Sequence, residues 1–205
     1  DVYKRQTKKM AKQMGTSDPC EVFRRINSGE WVVVSKPERA WREQDSVIYF
    51  SVTSDGTTGE KWIERLESKG FRLSDHAKSV LRTSDFQPTE ASTYEIAVLK
   101  GMLFEDNNRI TKNIRTDADK QKLTKPNAEV TCLIREKFSD EELEAMGLWW
   151  IVAMHEPIKD SGSVPGLLSA SRVGGGRWLD ACYDSPDFRW NRVDGFAFVV
   201  SQVSA

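Results

Sequence analysis

Leu148-Trp-Trp-Ile-Val-Ala-Met154, Leu167-Leu-Ser-Ala-Ser171, Trp178-Leu-Asp-Ala-Cys-Tyr183 and Phe196-Ala-Phe-Val-Val-Ser-Gln202 decide the fold class. Each is a short run rich in apolar and aromatic residues. Gly, Pro and Asp cluster between the runs, which is the composition of strands joined by turns. Ahead of them the period changes: Ile110, Ile114 and Ala118 recur at helical spacing, as do Val130, Leu133, Ile134 and Phe138. A block of helices beside a block of strands predicts an α+β fold, in which a helical middle segment packs with a mostly antiparallel sheet that ends in a four-strand meander. Strand order stays open, because a meander and a rearranged sheet share one linear pattern.

Further out, Ser17-Asp-Pro19 opens a short helix that Ser28-Gly29 closes, and Trp31 to Val34 reads as a strand. Val47 to Thr53 alternates as a second strand and runs through Ser54 to Gly59 into a helix carrying Trp62, Ile63 and Leu66, stopped by Gly70. Ser74 starts another helix through Leu81, and Tyr94 to Leu99 is the next strand. Asp106 or Asn107 is placed to cap the helix of Ile110, and Pro126 suits the first turn of the following one. Ser139-Asp-Glu-Glu142 has capping-box spacing, with Gly147 as the stop.

With 205 residues, of which 39% are hydrophobic, the chain can bury a core without metal or disulfide staples. Its net charge is -1, yet five of the 30 basic residues and only one of the 31 acidic ones lie in Asp1 to Lys12, so the remainder carries -5. A body of that sign gives no electrostatic reason for general nucleic-acid affinity. Cys20, Cys132 and Cys182 are odd in number and far apart, which suits reduced thiols in a cytoplasmic location. No apolar stretch approaches the length of a membrane span. Asp1-Val-Tyr-Lys-Arg-Gln6 resembles translated adapter sequence, with Met10 or Met14 as alternative starts, so residues 1–16 are expected to be a disordered or artefactual tail. Residues 17–205 then form one domain with a soft internal boundary near 101–105.

Four segments are candidates for function. In the Pro186 to Gly195 loop, Trp190 stands between Arg189 and Arg192 and is expected to be exposed, whereas Trp62 and Trp149 fall at core positions. Exposed aromatic and arginine side chains on a turn-rich segment are the residue types of binding hot spots. His155-Glu156 follows an apolar strand with Asp160 close behind, the arrangement of a histidine base oriented by a carboxylate in a hydrolase; the bland alternative is a histidine bonded to backbone at a strand end. Gly56, Thr58, Gly59 and Lys61 lie where a strand turns into a helix, and backbone N–H groups there can hold an anion. The phosphate-loop pattern is not met, since Trp62 follows Lys61, and a helix cap explains the loop as well. Arg109, Lys112, Arg115, Lys120 and Lys122 form a basic stripe, interrupted by Asp117 and Asp119, that reads as a solvated helix face or as a nucleic-acid groove. No metal-ligand or cofactor motif is present, so none is expected, and the main expectation is a non-catalytic domain that binds a protein or small-molecule partner.

Ser54-Asp-Gly-Thr-Thr-Gly-Glu-Lys-Trp-Ile-Glu-Arg-Leu66, Tyr94-Glu-Ile-Ala-Val-Leu-Lys-Gly101, Pro126-Asn-Ala-Glu-Val130, Cys132-Leu-Ile-Arg-Glu136 and Met154-His-Glu-Pro-Ile158 resemble a group of uncharacterised proteins from candidate-phylum bacteria known through metagenomes. The resemblance spans Ser17 to Val203 and implies no activity. Gly175-Gly-Arg-Trp178, then Ser185-Pro-Asp-Phe-Arg189 and Gly195-Phe196, is similar to the closing motif of C-type-lectin-like and formylglycine-generating-enzyme-like domains. Arg177 stands where that motif has serine, and the interval from Trp178 to Pro186 is shorter than that fold uses.

Overall fold

The computed structural model describes residues 19–29, 39–89, 92–172 and 176–200, and the chain divides into two units, 1–39 and 40–205. The second unit continues without a break through 101–105. In the first, helix α1 (Pro19–Asn27) carries Glu21 hydrogen-bonded to Arg24 and Arg25, and Gly29 follows in the left-handed region at φ +76°. The strand expected at Trp31 to Val34 and the tail expected at 1–16 lie outside the described residues.

The second unit is α+β, built on a mixed sheet. Its strands are β1 (Arg42–Gln44), β2 (Val47–Thr53), β3 (Arg72–Leu73), β4 (Thr93–Lys100), β5 (Leu123–Thr124), β6 (Trp150–Ala153), β7 (Ile158–Lys159), β8 (Pro165–Ser171), β9 (Trp178–Tyr183) and β10 (Asp194–Val200). Their order is β1-β2-β4-β10-β6-β8-β9-β3, with β5 on the end of β10 and β7 on β8. The helices are α2 (Gly59–Ser68), α3 (Asp75–Leu81), α4 (Thr111–Lys120), α5 (Glu129–Lys137) and α6 (Asp140–Ala145).

Strand alternation gives this sheet two buried faces. On β4, Ile96 and Val98 join Ile48, Phe50, Trp62, Leu66, Val130 and Phe138 in the larger core, which includes buried residues of α2, α3, α5 and α6. Ala97 and Leu99 point the other way, toward Ile114 and Ala118 of α4 with Val152, Phe196 and Phe198. The C-terminal strands depart from a plain meander in one respect. β6, β8 and β9 follow one another antiparallel, but β10 returns to the far side of β6, runs parallel to it and pairs antiparallel with β4. Phe196, Ala197 and Phe198 are all buried, and a strand that is apolar on both sides belongs in the middle of a sheet.

Most local signals operate as their chemistry suggests. The Ser74 hydroxyl accepts the Ala77 N–H at 3.1 Å, and Gly70 and Gly147 take φ near +77° after their helices. Ser139 and Glu142 close a reciprocal capping box at 3.2 and 2.9 Å. Ser139→Ala is therefore expected to cost about 1 kcal/mol, read as a lower urea midpoint at unchanged slope. The start of α4 differs from expectation. Neither Asp106 nor Asn107 caps it; the first helical N–H groups, of Thr111 and Lys112, donate instead to the carbonyls of Phe188 and Pro186 at 3.2 and 2.9 Å. Asp106 is turned to Arg109.

Candidate functional site

The 186–195 loop lies between β9 and β10 and is fastened to the start of α4, so its side chains divide between core and solvent. Trp190 is core, contrary to the exposure expected from its arginine neighbours: only 6% of it is accessible. Its indole N–H donates to Thr111 Oγ1 at 3.0 Å, and its ring meets Phe188 and Phe196 edge-on, with centroids 4.7 and 5.5 Å away. A large ring within reach of α4 and β10 gains more by burial than by exposure. Arg189 and Arg192 do face solvent.

The exposed tryptophan is Trp149, placed in the core by its periodic position yet 50% accessible. It stands one residue before β6, where its N–H donates to the Val193 carbonyl at 2.9 Å and its side chain lies outside the ladder. The Arg172 guanidinium is 5.8 Å from its ring centroid. Val193, Met102 and Leu103 are also exposed. Met102 and Leu103 belong to the turn after β4, which lies tight against the loop before β10. A β-carbon on Gly101 would sit 2.4 Å from the Asn191 carbonyl oxygen and 3.1 Å from that of Arg192, so glycine is required there. Four exposed apolar side chains thus stand on three backbone segments that adjoin one another at one end of the sheet. The adjacent tryptophans carried a signal for this: successive strand residues face opposite ways, so Trp149 and Trp150 cannot share one side.

His155 is 1% accessible and both ring nitrogens are engaged. Nδ1 lies 2.7 Å from the Glu156 carbonyl oxygen, and Nε2 accepts the Leu168 N–H at 2.9 Å. One neutral tautomer, protonated on Nδ1, satisfies both bonds. The ring fills the interruption between β6 and β7, giving β8 a hydrogen bond that no strand residue supplies there. Burial, with a smaller contribution from the Arg115 charge, pushes its pKa down to about 4. Glu156 and Asp160 are not gathered around it. Glu156 turns its carboxylate to Lys125, while Asp160 faces His76 at 3.2 Å and accepts the N–H groups of Gly162 and Val164. A pocket of about 310 Å³ lies beside His155, between it and Asn127.

In the 55–61 loop, Thr58 makes no side-chain cap and Lys61 is exposed. Asp55 organises the turn: its Oδ1 accepts from both the N–H and the hydroxyl of Thr57, and its Oδ2 takes Arg65. Hydrogen bonds from Thr57 and Arg65 hold its carboxyl below the usual range, so a negative charge already sits in this turn. Gly59 has a packing reason, since a β-carbon there would lie 1.7 Å from the Leu81 carbonyl oxygen at the end of α3. Gly56 takes a positive φ of 74°.

The basic stripe is divided by the fold. Arg109 precedes α4 and is buried, donating to the Gly101 and Phe104 carbonyls and to Asp106, each at 2.8 Å. Arg115 pairs with Asp184 at 3.2 Å, whereas Lys112, Lys120 and Lys122 are exposed. Among the described residues no group of three or more His, Cys, Asp or Glu side chains is placed to hold a metal ion, and no helix is long and apolar enough to cross a membrane. Comparisons with protein-family models, curated proteins and solved structures return no match.

Proposed function

We propose that this protein is a non-catalytic binding domain of a reducing, cytoplasm-like compartment, and that it docks a protein partner on the rim formed by Met102, Leu103, Trp149 and Val193. The observation that carries this reading is the grouping of those exposed apolar side chains on three adjoining segments, with Arg189 and Arg192 exposed on the same loop. Exposed apolar side chains on adjoining segments, accompanied by exposed arginines, are the residue types of interface centres, in which tryptophan and arginine dominate the energy. Val193 lies in the Pro186 to Gly195 loop that the sequence singles out, whereas Met102, Leu103 and Trp149 lie on the two neighbouring segments and Trp190 is buried. The free thiols of Cys132 and Cys182 agree with a reducing location.

A hydrolase centred on His155 is less well supported, because the lone pair a base would use is committed to Leu168. Nucleic-acid binding along α4 loses Arg109 to the interior and Arg115 to Asp184.

The test is retention of a partner from a bacterial lysate by the wild type and by Trp149→Ala/Leu103→Ser. Both positions are half exposed, so the pair is expected to cost about 1 kcal/mol of stability or less, while partner retention falls at least tenfold. Equal retention by both proteins, or a large loss of melting temperature in the variant, would overturn the proposal.

A further inference from the structure

A second recess lies away from the rim, between α3 and the β8–β9 pair. Val80 of α3 faces Gly166 of β8 and Ala181 of β9, and these small residues leave a hollow of about 140 Å³. A β-carbon on Gly166 would stand 3.4 Å from Val80 Cγ2, 3.6 Å from the Ile158 carbonyl oxygen and 3.9 Å from Ala181 Cβ, so the floor is mostly apolar and set low by the missing side chain. Tyr183, opposite Gly166 in the strand register, forms an aromatic wall and is half exposed. Val164, at the mouth, is exposed as well.

The remaining wall is polar and built. Asp160 is held by the N–H groups of Gly162 and Val164 at 2.8 and 3.0 Å and faces His76 Nδ1 at 3.2 Å. The same turn is tied to α3 by Ser161 N–H donating to Ser79 Oγ at 2.9 Å. An ionised carboxylate only accepts, so His76 Nδ1 donates to Asp160, and the tautomer with its proton there has Nε2 as an acceptor. Space for one ring, an apolar floor, an aromatic side wall and an acceptor beside a negative charge select a specific chemistry. An apolar cavity of about 150 Å³ holds a benzene ring. The fixed carboxylate disfavours an anionic ligand, and the imidazole acceptor favours one that donates.

We infer that this recess is a binding subsite for a single aromatic ring bearing a hydrogen-bond donor, that is, a phenol-type group. It is independent of the rim. The group could be a small phenol or the side chain of a tyrosine, and the experiment separates the two.

The test is an amide NMR titration of the full chain with p-cresol, N-acetyltyrosine amide, toluene and benzoate. p-Cresol is expected to shift residues 76–80, 164–166 and 181–183, and to bind about tenfold more tightly than toluene, the value of one hydrogen bond. Benzoate should give no saturable shift. Gly166→Val, whose side chain occupies the hollow, should abolish the response. Tyr183→Ala, at an exposed position, should weaken it and serves if the first variant fails to fold. His76→Leu should remove the preference for p-cresol over toluene while leaving ring binding. Binding of p-cresol alone identifies a small-molecule site, and binding of both phenols identifies a tyrosine site. Absence of shifts in these segments, equal affinity for toluene and p-cresol in the wild type, or p-cresol binding undiminished in both Gly166→Val and Tyr183→Ala would overturn the inference.

Discussion

Glu129→Ala is expected to destabilise the second unit by about 3–5 kcal/mol, among the larger effects a single substitution produces. Glu129 opens α5 and is fully buried. Its Oε2 accepts from the Ser54 hydroxyl at 2.7 Å and from the Thr89 N–H and hydroxyl at 3.0 and 3.3 Å, while its Oε1 accepts the Trp62 indole N–H at 3.3 Å. One carboxylate therefore joins the residue after β2, the segment between α3 and β4, α2 and α5, and it sits at a helix N-terminus, where the backbone dipole favours negative charge. Alanine would strand these donors in a site from which water is excluded, at the desolvation cost of each. Glu129→Gln keeps one acceptor and turns an N–H toward the remaining donors, so about half the loss should remain. Urea denaturation followed by tryptophan fluorescence measures both variants. A loss below about 1 kcal/mol for alanine would show that the network contributes no net stability.

Acidification from pH 6.5 to 4 is expected to remove about 3 kcal/mol through His155 alone. Folded His155 titrates at about 4, against an ordinary value of 6.5, chiefly because its buried site disfavours the charged ring. Between those two values the unfolded chain binds a proton that the folded chain refuses. The stabilisation is fully present above pH 6.5, declines as the pH falls toward 4, and does not change further below that. The structural reason is the pair of bonds to the Glu156 carbonyl and the Leu168 N–H, since a second proton on Nε2 would oppose a donor. His155→Gln should be less stable at pH 7 and should lack this contribution, so the difference between wild type and variant should shrink on acidification. Parallel pH profiles would remove the assignment. Asp194, whose pKa burial raises, contributes with the opposite sign, and comparison with the variant cancels it.

These two residues also mark how far the sequence can be read. The bland reading of His155, bonded to a neighbouring backbone group at a strand end, names one of its bonds. The other, to Leu168, depends on β8 lying alongside. Glu129 carries no site signal in the sequence, because a glutamate in the first turn of a helix is ordinary in linear sequence. Its environment comes from Ser54, Trp62 and Thr89, which lie 40 to 75 residues away.

Short-range chemistry determined the elements. The Trp62, Ile63 and Leu66 spacing, the Ser74 cap, the Ser139–Glu142 box, and Gly70 and Gly147 act within a few residues, so the chain specifies them alone. The alternation of β2 and the apolar runs of β6, β8, β9 and β10 likewise fixed the α+β class. Only the tertiary structure decided that β10 enters between β4 and β6, that the N-terminus of α4 is capped by the 186–188 carbonyls, and that Trp190 is covered while Trp149 is not. Periodicity tells which residues share a face, but whether that face meets solvent is settled by whatever distant segment packs against it.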